Sequence, residues 1–201
     1  MTSTEDSKNS KQEIRRRIRT ERNTLTQDEI FDAAVSLNHH LWSLPQLSRA
    51  TRIATYIGIN GEADCSEIIR SAWQRQKQTY VPILRKNRML FANLSADKKL
   101  KNNRFGIPEP EYRITDLLKP ANLDVVLMPL VAFDGNGNRL GMGGGFYDRS
   151  LQQLQHRKVF RHPLLIGMAY DFQRVGHISA ENWDIPLDAV ITETGVSSFS
   201  F

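Results

Sequence analysis

The stretch "LDVVLMPLVAFDGNGNRLGMGGGFYDRS", Leu123 to Ser150, places two opposite demands on the backbone within 28 residues. Its first part, Leu123 to Phe133, is a continuous apolar and β-branched run, which predicts a buried parallel strand. Asp134 to Asn138 then hold two glycines and two asparagines, the composition of a turn. Four of the chain's twelve glycines follow between Gly141 and Gly145. Glycine removes Cβ, permits positive φ and lets a ligand approach the main chain. From Phe146, "FYDRSLQQLQ" is rich in helix formers, with Leu151 and Leu154 three apart on one face. The order is strand, turn, glycine-rich loop, helix. It aims bare N–H groups and the positive end of a helix at the loop, a setting that suits an anion.

A flexible turn is equally rich in glycine. The loop also matches neither G-x-x-x-x-G-K-[ST] nor G-x-G-x-x-G, and no Lys follows its glycines. The flanks tilt the balance. Arg139 and Arg149 bracket the glycines, and Asp148 stands where a Mg²⁺ accompanying a phosphate would be held.

A length of 201 residues predicts one compact domain with a real core, spanning 1–201 with residues 1–9 as a flexible tail. The hydrophobic fraction of 40% and charged fraction of 24% are those of an ordinary globular protein, and no apolar run reaches membrane-spanning length. The N-terminus "MTSTEDSKNSK" lacks the apolar core of a signal peptide. The single cysteine, Cys65, cannot form an internal disulfide and suits a reducing cytoplasm. Nothing near it in sequence would lower its pKa, so it reads as a packed thiol and not a nucleophile.

The net charge of +5 is uneven. Residues 8 to 22 hold seven Lys or Arg against two Glu, and the rest of the chain is nearly balanced. A basic helix here reads as a solvated face, as a nucleic-acid-binding face or as a phosphate site. Only Ile14 and Ile18 supply an apolar stripe, too little for a membrane surface, and aromatics that would stack on bases are missing. Lys11 and Arg15, four apart, share one helix face and can converge on one phosphate.

The remaining pattern alternates. A helix is predicted over Ser10 to Asn23, and Thr26 with Glu29 forms a capping box for a second one with the face Ile30, Ala33, Ala34, Leu37 and Leu41. "RIATYIG" (52–58), "TYVPIL" (79–84), "RMLFANL" (88–94), "PLLIGMAY" (163–170) and "DAVITET" (188–194) read as strands, and "SEIIRSAWQRQ" (66–76) as a helix capped by Asp64 and Glu67. "NNRFGIPEPEYR" (102–113), with two prolines and a glycine, reads as a rigid loop. The fold class is α/β: a three-layer α/β/α arrangement with a largely parallel, Rossmann-like sheet.

Other chemistries do not assemble. The five histidines have no H-x-x-x-H or C-x-x-C partner, and G-x-S-x-G is absent. Glu62, Asp148 and Asp184 remain as acids of interest, with turn filler, helix-start charge and loop cap as their plainer roles.

"MPLVAFDGNGNRLGMGGGFYDR" (128–149) resembles the signature of the 5-formyltetrahydrofolate cyclo-ligases, also called methenyltetrahydrofolate synthetases. "KQEIR" (11–15) is similar to the family's K-x-x-x-R, and "YIGINGEADCSEII" (56–69) to its Y-x-x-x-x-x-E segment. "FGIPEP" (105–110) resembles its proline loop, and "WDIPLDAVITETGV" (183–196) its D-x-x-x-D stretch. The matches are ordered and run over residues 11 to 196.

The resemblance implies ATP- and Mg²⁺-dependent conversion of 5-formyltetrahydrofolate to 5,10-methenyltetrahydrofolate, by a cytoplasmic monomer in one-carbon metabolism with no nucleic-acid or membrane partner. It further implies an ATP site of Lys11, Gln12, Glu13, Ile14 and Arg15 with Arg139, Leu140, Gly141, Met142, Gly143, Gly144, Gly145, Phe146 and Tyr147. Ile57, Glu62 and Met142 to Phe146 would hold the folate, and Asp148 and Asp184 the Mg²⁺. Many relatives carry a basic residue where Met142 or Gly144 stands and Tyr where Phe146 stands. At those three positions the main chain is therefore expected to carry the role. The competing readings are a nucleic-acid-binding α/β protein led by the basic helix, and a sugar-phosphate or nucleotide enzyme of unrelated reaction.

Overall fold

The computed structural model describes residues 2–85, 88–103, 106–152 and 163–199. Seven strands form one sheet in the order β11-β10-β9-β6-β1-β2-β3. They are β1 (Arg52–Ala54), β2 (Gln78–Arg85), β3 (Arg88–Leu94), β6 (Val125–Pro129), β9 (Leu164–Met168), β10 (Ala189–Thr192) and β11 (Gly195–Ser198). The five from β10 to β2 are parallel, and the edges β3 and β11 are antiparallel. This is the largely parallel α/β sheet expected, with two antiparallel edges added. β6 and β9 are apolar at nearly every position because both faces of a central parallel strand are covered.

Helices α2 (Gln27–Trp42), α3 (Pro45–Arg49) and α4 (Ser66–Gln74) cover one face. Leu37, Leu41, Leu47 and Ile68 meet Ile53, Val125, Leu127 and Ile166 there. The capping box opens α2: the Glu29 N–H donates to Thr26 Oγ1 at 3.2 Å, and the Thr26 N–H to Glu29 Oε2 at 2.8 Å. The opposite face carries α5 (Phe146–Leu151) and the crossover from β9 to β10, with Leu151, Ile185 and Leu187 against Val126, Met128 and Val190. Leu154, Phe105, His156 and His162 lie outside the described residues.

Three expectations change. The run from Leu123 to Phe133 is broken after Pro129, and Ala132–Phe133 (β7) leaves the sheet to pair with Arg139–Leu140 (β8). The "NNRFGIPEPEYR" segment is not a plain loop, because Leu100–Asn102 (β4) and Pro108–Pro110 (β5) form a two-stranded flap. Pro tolerates such an isolated edge because it has no N–H to leave unpaired there. The first helix, α1 (Thr2–Arg22), starts eight residues before Ser10 and runs through the segment expected as a tail. Ile14 and Ile18 of α1 pack on Val131, Ala132, Leu140 and Ile178, beyond the carboxyl ends of β6 and β9. No helix among the described residues is long and apolar enough to cross a membrane.

The β7–β8 turn is organised by a carboxylate. Asp134 is fully buried and accepts from the N–H groups of Asn136, Asn138 and Ile178 and from Asn138 Nδ2, at 2.9–3.0 Å. Burial alone would raise its pKa, but these hydrogen bonds win and hold it below the usual carboxylate range. Gly137 in this turn has φ +78°, and a Cβ there would stand 2.9 Å from the Leu187 carbonyl oxygen. Asp134→Ala strands four donors. It is expected to cost roughly 3 kcal/mol, read as a fall in Tm of about 6–12 °C. The carboxylate's own contribution is present above the unfolded-state pKa and is lost as pH falls through the lower folded value. The wild-type advantage over the Ala variant should therefore shrink on acidification.

Candidate active site

The parallel strands of an α/β sheet deliver their loops to the carboxyl edge, and ligands gather there. A cavity of about 760 Å³ opens at that edge. Lys11 and Arg15 of α1, Tyr56, Ile57 and Glu62 after β1, the glycine loop, and Glu181, Trp183 and Asp184 all line it, with Ile107 to Glu109 of the flap.

Both ends of the glycine loop are tied. The Arg139 side chain, 6% exposed, donates from Nη2 to Asp148 Oδ1 at 2.6 Å and from Nη1 to the Ile185 carbonyl at 2.6 Å. The Ile185 N–H reaches the same Asp148 oxygen at 3.4 Å. At the first glycine, Arg15 Nε donates to the Gly141 carbonyl at 2.9 Å. Gly143 and Gly145 hold φ of +99° and +60°. Arg149 Nη2 donates back to the Gly144 carbonyl at 2.7 Å. The loop is a tethered arch of bare main chain and not a slack turn.

Helix α1 bridges the cavity. Lys11 Nζ lies 3.6 Å from Glu181 Oε1, Arg15 meets Gly141, and Arg22 at the far end reaches the Leu130 carbonyl and packs beside Gly61. Eleven helical residues span about 16 Å, so α1 measures the distance between the Glu181 end and the Glu62 end. Glu62 is half-buried and accepts from the Ile59 N–H at 3.2 Å. Burial raises its pKa, against the opposing pull of the Ile59 hydrogen bond and of Arg22. Its neighbours Tyr56 and Tyr147 are also held protonated, chiefly by burial.

Asp184 accepts from the Glu181 N–H at 2.9 Å, the loop cap that its sequence context suggested. Asp148 accepts through Oδ1 and Asp184 through Oδ2. Among the described residues no cluster of three His, Cys, Asp or Glu stands ready for a metal. Two carboxylates at the edge of one cavity still match Mg²⁺, which takes one or two of them and completes its shell with water and phosphate oxygens.

Of the residues singled out in the sequence, Lys11, Arg15, Ile57, Glu62, Arg139 to Asp148 and Asp184 meet in this cavity. Gln12, Glu13 and Ile14 do not: the first two are exposed and Ile14 packs inward. Cys65 is buried, its thiol pushed up to about 12 by that burial, as a packed thiol should be. Sequence reading missed the apolar wall of Pro82, Leu84, Met89 and Ile107, and also Glu109 and Trp183. Only Trp183 left a trace, an aromatic in a polar loop beside Asp184.

A family model described as the 5-formyltetrahydrofolate cyclo-ligase family matches residues 7–193. A 5-formyltetrahydrofolate cyclo-ligase of Haemophilus influenzae is 39% identical over 180 residues, 88% of this chain and 94% of that one. One from Escherichia coli K12 is 38% identical over 182 residues, 89% of this chain and 98% of that one. The NMR structure of Aquifex aeolicus 5,10-methenyltetrahydrofolate synthetase superposes with a TM-score of 0.80 at 30% identity, covering 95% of this chain and 93% of that one.

The raised pKa of Glu62 has a thermodynamic consequence. The folded state prefers the protonated acid, so wild-type stability falls as pH rises from the unfolded-state pKa through the folded value. Glu62→Gln, which mimics the neutral acid, is expected to melt with the wild type below that window and above it at neutral and alkaline pH. A Gln variant less stable than wild type at pH 8 would contradict this reading.

Proposed function

The chain belongs to the 5-formyltetrahydrofolate cyclo-ligase family, and from that premise we propose that it converts 5-formyltetrahydrofolate to 5,10-methenyltetrahydrofolate, coupled to cleavage of one ATP to ADP and phosphate with Mg²⁺ present. One observation supports this most: a single cavity joins a cationic pair and a bare glycine arch at one end to a half-buried carboxylate at the other.

The chemistry asks for positioning more than for a protein nucleophile. The formyl oxygen attacks the γ-phosphorus, the bond from γ-phosphorus to the β,γ-bridging oxygen breaks, and ADP leaves. N10 then adds to the activated carbon, loses its proton, and phosphate departs as the methenyl bridge closes. An amide oxygen is a poor leaving group, and phosphorylation makes it a good one. Lys11 and Arg15 would neutralise the phosphates, and the N–H groups of the glycine arch would line their path. Glu62 would accept from the N–H donors of the pterin, with both oxygens free to accept when it is ionised. Met142 and Phe146 would border the folate, with Ile57 beside it. Asp148 and Asp184 would hold Mg²⁺, which supplies charge neutralisation on the phosphates. Arg139, engaged with Asp148 and Ile185, would act on ATP mainly by shaping the arch.

The basic helix supports this over a nucleic-acid face, because Arg15 is committed to the glycine arch and Ile14 and Ile18 to the core. We place the protein in the cytoplasm as a monomer without nucleic-acid or membrane partners, in keeping with its single buried thiol.

The direct test is an absorbance assay for methenyltetrahydrofolate with 5-formyltetrahydrofolate and Mg²⁺, with and without ATP. Product only when ATP is present is expected, and none over a broad range of pH and metal would end the proposal. Lys11→Ala and Arg15→Ala should each raise the KM for ATP by the equivalent of about 1.5–3 kcal/mol, while exposed Arg17→Ala stays near wild type. Equal losses at all three would favour a diffuse polyanion surface. Asp184→Asn keeps a cap acceptor, so it should fold normally yet need more Mg²⁺ for half-maximal rate. Unchanged Mg²⁺ dependence would reduce Asp184 to a cap.

A further inference from the structure

Large apolar side chains exposed to water are few among the described residues, and two of them, Met142 at 52% and Trp183 at 61%, line the cavity. Met142 belongs to the glycine arch. Trp183 has no role in the reading above. Its two fellow tryptophans are anchored: Trp42 Nε1 donates to Asn38 and Ser71, and Trp73 Nε1 to Thr79. An indole that is 61% exposed at the lining of a cavity lacks a packing reason for being there, because an aromatic of this size gains most when it is covered.

Its position along the cavity decides what would cover it. The loop that carries Trp183 begins at Glu181, which pairs with Lys11 at 3.6 Å. The Glu62 loop meets the other end of α1, where Gly61 packs on Arg22. The two ends stand about 16 Å apart by the rise of the helix, and Arg15 with the glycine arch lies between them. The sheet order agrees: the Glu62 loop leaves β1, the arch follows β6 and β8, and the Trp183 loop belongs to the β9–β10 crossover, on the far side of β6 from β1. With the folate ring at Glu62 and the phosphates between Arg15 and Lys11, the group that emerges past Lys11 is the nucleoside.

We propose that the exposed indole of Trp183 is the platform on which the purine base of the nucleotide stacks; this rests on the ATP-dependent reading given above. Stacking on one face needs no hydrogen bond to a base edge. The platform therefore adds affinity for the base while the cationic pair and the arch bind the phosphates.

The test separates base from phosphate. Calorimetry would measure binding of ATP, ADP and inorganic tripolyphosphate to wild type, Trp183→Ala and Trp183→Phe, with 5-formyltetrahydrofolate titrated in parallel. Trp183→Ala is expected to weaken ATP and ADP about tenfold or more and to leave tripolyphosphate and 5-formyltetrahydrofolate within about twofold, while Trp183→Phe recovers most of the loss. ATP should also change the indole fluorescence of wild type, tripolyphosphate should not, and the change should vanish in Trp183→Phe. Equal loss of ATP and tripolyphosphate, or loss of 5-formyltetrahydrofolate with ATP intact, would overturn the proposal and leave the catalytic reading standing. A wild type that turns over 5-formyltetrahydrofolate without binding ATP would remove both. An exposed side chain contributes little to the core, so unchanged thermal melting of both variants is the control for folding.

Discussion

The ion pair between Arg139 and Asp148 sets where everything else in the cavity can be. It ties the start of β8 to the first turn of α5, and through the Ile185 carbonyl it draws in the crossover between β9 and β10. Segments 9 and 46 residues along the chain from Arg139 meet on one guanidinium that is almost wholly buried. A buried pair of this kind gains little net stability, since desolvation offsets much of the attraction, but losing one partner leaves the other charge stranded at about 3–5 kcal/mol. Its value is geometric. With both stems clamped and Arg15 holding Gly141, the arch from Gly141 to Gly145 can rest mainly on its main chain and still keep one shape.

That shape sits in an uneven field. Cations gather where α1 crosses the arch, and the carboxylate of Glu62 lies at the helix's other end, in surroundings that disfavour its charge. The fold gives up stability at neutral pH to keep an acceptor there that water does not fully solvate. Such a group binds N–H donors more strongly than an exposed one, because fewer water contacts are lost on binding and the local dielectric is lower. Arg22, itself depressed by burial, opposes part of the penalty from the same helix that carries Lys11 and Arg15. A shift of α1 would therefore be felt at both ends of the cavity.

Much of this was legible in the chain because it is local. The capping box at Thr26, the apolar run into β6, the glycine arch and the pairing of the Lys11 and Arg15 positions follow from spacing alone. What escaped reading depends on partners distant in sequence. β6 ends at Pro129 in the midst of an apolar run because Val131 and Ala132 beyond it pack with Ile18 and Leu140 instead of in the sheet. The proline segment pairs with Leu100–Asn102, and no short-range rule supplies that partner. Asp134 reads as an ordinary turn residue until Ile178, 44 positions away, donates to it. Asp148 and Asp184 were singled out as acids, but only the fold reveals that one is clamped by Arg139 and the other caps its own turn.

The cavity's reactive side chains make a last point. The hydroxyls on its wall that could attack an electrophile are the phenols of Tyr56 and Tyr147, and burial holds both protonated. Cys65, behind Tyr56, is likewise kept as a thiol. A protein nucleophile here would have to shed a proton in an environment arranged against the charge that results. The opposite need, binding charge that arrives already formed, is met by fixed donors: two cationic side chains and a main chain stripped of Cβ atoms. On the reading proposed above, such a site would hold two substrates at a set separation and match charge already present on one of them. On the proposed reaction, the attacking atoms are the substrate's own formyl oxygen and N10, and the protein's part is the geometry that α1 and the clamped arch impose.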